Sequence, residues 1–394
     1  MIQRPVTCLD AQEAPDEATL RSVLKEHNAA LPRLLTLRDY MRRRHAISGR
    51  ARKRGLPNNR LAHDLPTYIV RTASAFLLGE PVRYAGPEAL RPVLEAYAHC
   101  DVATVDDELA VAAAAYGRGV ELCYADEAAS PRTCALDPLR AFAVYADDAL
   151  CRPLFGVQTA DVLDAAGRAV GLRAEVYTAR ETLAYTGRSL DSLTLERRAP
   201  HYFGAVPLVE YWNNAEETGD FEGVLPLIDA YDALQSDRLN DKQQFTDAVL
   251  VLYGVAGLLE EEGQSAASRL REERTLCMPD RDARVEFLTK QLSESDTEVL
   301  KESLRQDIHK LCFVPDLSDR DFAGNQSGVA MRYKLFGLTQ LTRGKERWFR
   351  EGLRSRLRLF AAFLAVKGGP ALDAEAVTME LKRPLLAVTE EVSA

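Results

Sequence analysis

One stretch limits the possible architectures more than any other: "GDFEGVLPLIDAYDALQSDRLNDKQQFTDAVL", residues 219–250. Its apolar residues fall at 221, 224, 225, 228, 231, 234, 239 and 245, a helical spacing. Pro226 comes early enough in the run to be tolerated in a first turn. A helix of about 27 residues rises roughly 40 Å at about 1.5 Å per residue, long beside an average of about 11–12 residues. A second helix is expected at 296–312, where Ser295 and Glu298 fit a capping box and Val299, Leu300, Leu304, Ile308 and Leu311 make an apolar stripe. Between them, "AVLVLYGV" is strand-like and "LEEEGQSAASRLREERTLCMPDRDARVEFL" reads as a small α/β insertion. Two long helices flanking a compact insertion form an extended α-hairpin with a tip.

The chain before this hairpin has a different texture. "EATLRSVLKEHNAAL" is helical, and "LAHDLPTYIVRTASAFLLGEPVRY" (61–84) is apolar enough for a buried helix stopped by Gly79 and Pro81. "ELAVAAAAYGRGVELCYAD" reads as helix, glycine turn and strand. "AFAVYAD", "LFGVQTADVLD", "LRAEVYTARETLAYT" and "SLTLERR" read as strands of a mixed sheet. The expected class is α+β, mainly α. After the second helix, Pro315 is read as the stop, and "PDLSDRDFAGNQSG" (315–328) as a polar connector whose glycines permit φ > 0. Ser327 is placed to cap a helix starting near Val329.

The 394 residues suffice for two or three modules, and the net charge of -9 is not that of a protein that grips nucleic acid, although an acidic protein can handle DNA that must slide. The basic stretch "RDYMRRRHAISGRARKRGLPNNR" (38–60) runs against that balance; it is either a solvated helix face and loop or a contact for an acidic partner. The seven cysteines are scattered, odd in number and without a CxxC pair, which argues against a disulfide framework or structural zinc and for a reducing cytoplasm. "MIQRPVTCLDAQEAPDE" has no apolar signal core, and the longest apolar runs are too short to span a bilayer.

Catalytic readings fail on spacing. In "DFAGNQSGVAMRYKL" Gly324 and Gly328 are four apart, the first lysine is Lys334, and the preceding element is a helix, so it is not a P-loop. Gly117-x-Gly119 lacks the third glycine of a dinucleotide site. The acidic pairs Asp106-Asp107, Asp147-Asp148 and Asp319-x-Asp321 lack a second cluster to complete an oxygen cage, and read as surface or cap residues. No nucleophile–base set stands out. The expectation is no enzyme, no cofactor and no metal.

Several stretches, in order, resemble the portal proteins of tailed bacteriophages of the siphophage type. "NNRLAHDLPTYIVRTASAFLLGEPV" (58–82) resembles that family's "NNR…YIVD…YLLGKPV" segment, with Arg71 where an Asp is common. "YGRGVELCY" (116–124) is similar to its turn and strand. Residues 204–254, with "VPLVEYWNNAEETGDFEGVLPLIDAYDALQSDRLND", and "FAGNQSGVAMRYKLFGL" (322–338) are specific and nearly continuous matches. "KERWFREGLRSRLRLF" (345–360) resembles the following helix.

The resemblance implies a phage portal fold: N-terminal arm 1–30, mixed α/β wing 31–218, stem helix 219–246, small α/β clip 247–288, second stem helix 289–312, tunnel loop 313–328, and a long kinked helix with C-terminal wing and short crown region over 329–394. It implies a ring oligomer, usually of about twelve subunits with rotationally closed contacts, at the capsid vertex of a phage or prophage virion, assembled in the host cytoplasm. Double-stranded DNA would be packaged and ejected through the channel, sequence-independently. Asp319, Arg320, Asp321, Gly324, Asn325, Gln326, Ser327 and Gly328 would form the tunnel loop. Glu260, Glu261, Glu262, Arg269 and Arg271 of the clip would meet the terminase large subunit and the head–tail connector or adaptor. Major capsid and scaffolding proteins are further expected partners, and no membrane is. Ten Asp/Glu against two Lys/Arg between Gly219 and Ser265 would keep phosphates from sticking. Two rivals remain open. A DNA-processing enzyme of the packaging module would show metal-dependent nuclease or ATPase activity. A non-ring helical adaptor or scaffold would stay a monomer or dimer at all concentrations.

Overall fold

The computed structural model describes residues 1–5, 14–52, 56–245, 249–253, 275–278, 284–288, 294–317 and 328–383. The chain is α+β, and it divides into two compact units. The first comprises Met1–Arg42, Pro66–Gly223 and Cys312–Ala394; the second comprises Arg43–Leu65 and Val224–Leu311.

The first unit begins with β1 (Ile2–Arg4) and α1 (Glu17–Met41), then α2 (Leu65–Leu77), β2 (Arg83–Ala85), α3 (Arg91–His99) and α4 (Val102–Tyr116). Strands β3 (Arg118–Ala125), β4 (Pro131–Leu136), β5 (Ala141–Ala146), β6 (Pro153–Leu163), β7 (Ala169–Tyr177), β8 (Glu181–Gly187), β9 (Thr194–Pro200) and β10 (Leu208–Trp212) follow. Residues 2–4 are an integral edge of a six-stranded sheet, ordered β1-β5-β6-β7-β8-β9 and antiparallel except for the β1–β5 pair. A second sheet is ordered β10-β3-β4.

Period-2 alternation explains how these layers stack. On β5, Phe142 and Val144 join a core with Leu20, Val23 and Leu24 of α1. Ala141 and Ala143 point the other way, into a core with Val120 and Leu208 of the second sheet. Helix α1 starts at Asp16, whose side chain accepts from the Thr19 amide at 2.7 Å, and runs on through Pro32 without a break at residue 30. Helix α4 ends where the sequence predicts, at Gly117 with φ +90°. A Cβ there would lie 2.0 Å from the Glu217 carbonyl oxygen, so only glycine fits.

The second unit contains α5 (Leu225–Phe245), strands β11 (Val249–Tyr253), β12 (Thr275–Met278) and β13 (Arg284–Leu288), and α6 (Glu294–Leu311). Pro226 is the second residue of α5, in the first turn as expected. The strands form a sheet with β11 central, parallel to β12 and antiparallel to β13. Helices α5 and α6 are tied by Arg238 to Glu298 at 2.7 Å. Two local expectations need correction. Ser295 lies inside the first turn of α6, and Glu298 pairs with Lys301 and Arg238 rather than closing a capping box. Pro315 does not end that helix: it stops at Leu311, and Phe313 then takes a left-handed φ of 57°.

The first unit resumes with α7 (Gly328–Lys334), α8 (Phe336–Val366) and β14 (Thr378–Glu380), which pairs with β2. Leu335 interrupts the helical run between α7 and α8. Along α8, Phe349, Leu353, Leu357 and Phe360 form a buried seam against α3, α4 and β10. Gly352 lets this helix press on the strand: a Cβ there would lie 2.4 Å from the Tyr211 ring.

Candidate channel loop and partner-binding segments

The two buried cations of α8 organise the middle of the first unit. Arg356 is fully buried; its Nη1 donates to Asp106 at 2.7 Å and Glu121 at 3.1 Å, and its Nη2 donates to the Tyr84 hydroxyl at 3.0 Å. Its guanidinium carbon lies 5.1 Å from the centroid of the Tyr97 ring. Tyr211 donates its hydroxyl to the other Glu121 oxygen at 2.6 Å. Burial opposes the charge on Arg356, but Asp106, Tyr211 and Glu121 hold it protonated. Asp106 is therefore neither a surface residue nor a cap, as its sequence context suggests, but one pole of a buried ion pair.

The second cation, Lys345, is paired with Asp220 of "GDFE". The preceding turn is built for this. Asn214 accepts from the Thr218 amide at 3.0 Å, Gly219 packs where a Cβ would meet the Ala115 carbonyl at 2.5 Å, and Asn213 donates to Asp220 at 2.9 Å. Glu222 receives the Arg33 guanidinium at 2.5 Å. The "NNAEETGDFE" stretch thus joins β10, α1, α4 and α8 through its polar groups.

In the second unit, one face of α5 is buried yet polar. Asp232, Ser236 and Asn240, spaced i, i+4 and i+8, accept hydrogen bonds from the backbone amides of His63 (2.9 Å), Leu61 (3.0 Å) and Asn59 (2.8 Å). The match is geometric. Two residues of extended chain advance about 6.6 Å and four residues of helix about 6 Å, so alternate amides meet successive helical turns. His45 Nδ1 lies 2.5 Å from the second oxygen of Asp232, and His63 Nδ1 lies 2.8 Å from the first. An ionised carboxylate only accepts, so both imidazoles present N–H to it. Burial alone would raise Asp232, but the bonds from His45 and His63 hold it below the ordinary carboxylate value. Residues 43–52 and 56–65 form the two limbs of a strap lashed along α5.

The segment expected to be the tunnel loop is described at its two roots. At the first, the Tyr68 hydroxyl donates to the Pro315 carbonyl at 2.8 Å and accepts from the Leu317 amide at 2.9 Å. Val314 beside it is buried. At the second, α7 begins at Gly328 and the Leu335 interruption follows; a Cβ at Gly337 in α8 would lie 3.6 Å from the Phe313 ring. Phe313, Leu317, Tyr333 and Phe336 around these roots are exposed. Of the predicted site residues, Gly328 is therefore the first residue of α7. Asp319, Arg320, Asp321, Gly324, Asn325, Gln326 and Ser327 lie outside the described residues, as do Glu260, Glu261, Glu262, Arg269 and Arg271. Among the described residues, no group of three or more His, Cys, Asp or Glu is arranged to hold a metal ion, and no helix is long and apolar enough to cross a membrane.

Comparison with known proteins gives the family of this α+β chain. The profile of phage portal proteins, SPP1 Gp6-like, matches residues 20–387, and the chain belongs to that family. It is 24% identical over 383 residues to the portal protein of Bacillus phage SPP1, covering 90% of this chain and 74% of the relative. Among solved structures, it is similar to a chain in the virion of a native gene transfer agent particle (14% identity, TM-score 0.39, 89% of this chain and 84% of that one). A chain in the neck of an empty gene transfer agent particle gives 16% identity, TM-score 0.41 and coverage of 89% and 85%. Both structural likenesses are loose.

Proposed function

We propose that the chain assembles into a closed ring of about twelve copies, related by rotation, at one vertex of a tailed-phage or prophage capsid. Double-stranded DNA enters and leaves through its channel. The family match across residues 20–387 carries this reading. The helical hairpin of α5 and α6, with the β11–β13 sheet between them in sequence, supports it as stem and clip. In this assignment the wing spans 31–218, the stem helices 219–246 and 289–312, the clip 247–288, the tunnel loop 313–328, and the long kinked helix follows from 329. The ring acts mechanically. ATP hydrolysis belongs to the terminase. Of the acidic residues between 219 and 265, Asp220, Glu222, Asp232 and Asp237 are paired internally; the others would repel phosphates over a screening length of about 8–10 Å.

Asn325 and Gln326 make weak, sequence-blind contacts with passing DNA, and Gly324 and Gly328 let the loop move. Glu260, Glu261, Glu262, Arg269 and Arg271 meet the terminase and the head–tail connector. Two sets of variants test these roles in procapsids. Gly324→Val with Gly328→Val leaves rings intact and shortens or destabilises the packaged genome; full-length packaging at normal rate rejects the tunnel role. Reversing the clip charges blocks terminase or connector docking without preventing assembly; normal docking of both partners rejects the clip surface.

A further inference from the structure

The basic stretch between Arg38 and Arg60 is not used by the proposed function. It holds nine Lys/Arg against one acidic residue, Asp39, in a chain of net charge -9. Docking of the strap on α5 consumes few of these charges. Arg43 pairs with Asp64 and Arg50 with Asp237. Arg44, Arg52 and Arg60 are exposed, and none forms an ion pair with a described carboxylate. On the second limb the Asn59, Leu61 and His63 amides bond the helix, and the Arg60 side chain is exposed.

The strap also gathers these cations. Arg60 Nη1 donates to the Ser48 carbonyl at 2.8 Å, and Asn58 Nδ2 lies 3.4 Å from the Arg50 carbonyl. The limb 58–60 therefore runs beside 48–50, with Arg52 two residues on. Arg44 adjoins His45, which is fixed on Asp232. Cations carried on a backbone already fixed by hydrogen bonds lose little further main-chain freedom when an anion arrives. Among the described residues none of the three has a carboxylate partner, so an external anion can supply one.

We infer that the strap is a contact for nucleic-acid phosphates, made by Arg44, Arg52 and Arg60. Between Arg44 and Arg52 the exposed positions are Ala46, Ser48, Gly49 and Ala51 besides the arginine. Protein interfaces centre on aromatic or aliphatic anchors; this limb exposes none, and the other exposes only Leu56 and Leu61 among its described residues. Small residues let a phosphate backbone approach, and guanidinium forks bind its oxygens without reading bases. Three such contacts bind weakly, which suits DNA that must move. The choice of duplex DNA as the natural ligand rests on the portal reading.

The test uses the full-length chain and a labelled duplex of about 30 base pairs, followed by anisotropy from about 50 to 200 mM salt. Wild type binds, with affinity falling as salt rises. Arg44→Gln, Arg52→Gln, Arg60→Gln together lower the affinity at least tenfold at low salt and reduce the log–log salt slope by about 2–3. The triple lysine variant, which keeps charge, retains most of the binding and separates charge loss from misfolding. Equal affinity of wild type and the glutamine variant overturns the inference. So does an equal loss of binding to polyglutamate, which marks a surface for acidic protein. DNA binding lost in the glutamine variant of a chain that forms no ring supports the strap contact and rejects the portal assembly.

Discussion

Arg356 on α8 and Asp106 on α4 meet at 2.7 Å with the guanidinium fully buried, which ties two helices 250 residues apart in sequence. Removing one partner of such a pair leaves an uncompensated buried charge. Arg356→Met is expected to cost about 3–5 kcal/mol, seen as a lower urea midpoint in equilibrium unfolding. Arg356→Lys will not rescue it, because one ammonium cannot reach Asp106, Glu121 and Tyr84 together. A lysine variant as stable as wild type would contradict this role.

His27 gives the first unit a pH dependence. It stacks on Phe142 at 4.3 Å, and its Nε2 lies 2.9 Å from the Leu139 carbonyl. Burial pushes its imidazole down to about 4, with the Arg118 charge acting in the same direction and the Leu139 hydrogen bond opposing. The unfolded chain takes up this proton near pH 6.5, and the folded chain only near 4. Between those values the unfolded state binds more protons, so stability falls as pH falls, by about 1.4 kcal/mol per pH unit and about 3 kcal/mol in all. His27→Gln should flatten that part of the stability–pH curve in chemical unfolding. An unchanged slope would show that His27 is not its source.

Tyr68 pins the first root of the proposed tunnel loop through one hydroxyl that serves both Pro315 and Leu317. Tyr68→Phe keeps the ring and removes both bonds, at a cost of about 0.5–1.5 kcal/mol each. Hydrogen exchange at the Leu317 amide should speed up by roughly tenfold or more. Exchange as slow as wild type would mean that the backbone there is fixed by other contacts.

Much of this architecture was legible in the residues. Period-2 runs marked β5 to β9, and the glycine after "ELAVAAAAY" marked the end of α4. The buried polar groups were not. Asp232, Ser236 and Asn240 at i, i+4 and i+8 look like a solvated helix face. Only the extended "NNRLAH" limb, with its alternate amides, shows that the face is covered. Lys345 and Arg356 sit in a run dense with arginine, where nothing local distinguishes a core cation from a surface one. Their partners Asp220 and Asp106 are far away in sequence. The helix stop was misattributed for a related reason: the helix ends at Leu311, and Phe313 adopts a left-handed conformation that its side chain does not favour, four and two residues ahead of the expected stop at Pro315.

The claim on which the functional account depends is closure into a ring, and electron microscopy of the purified full-length chain tests it most directly. The account predicts rotationally symmetric particles with a central hole, built from about 12 or 13 copies of the 43.7 kDa chain. Monomers or dimers alone, at every salt and protein concentration imaged, would contradict it.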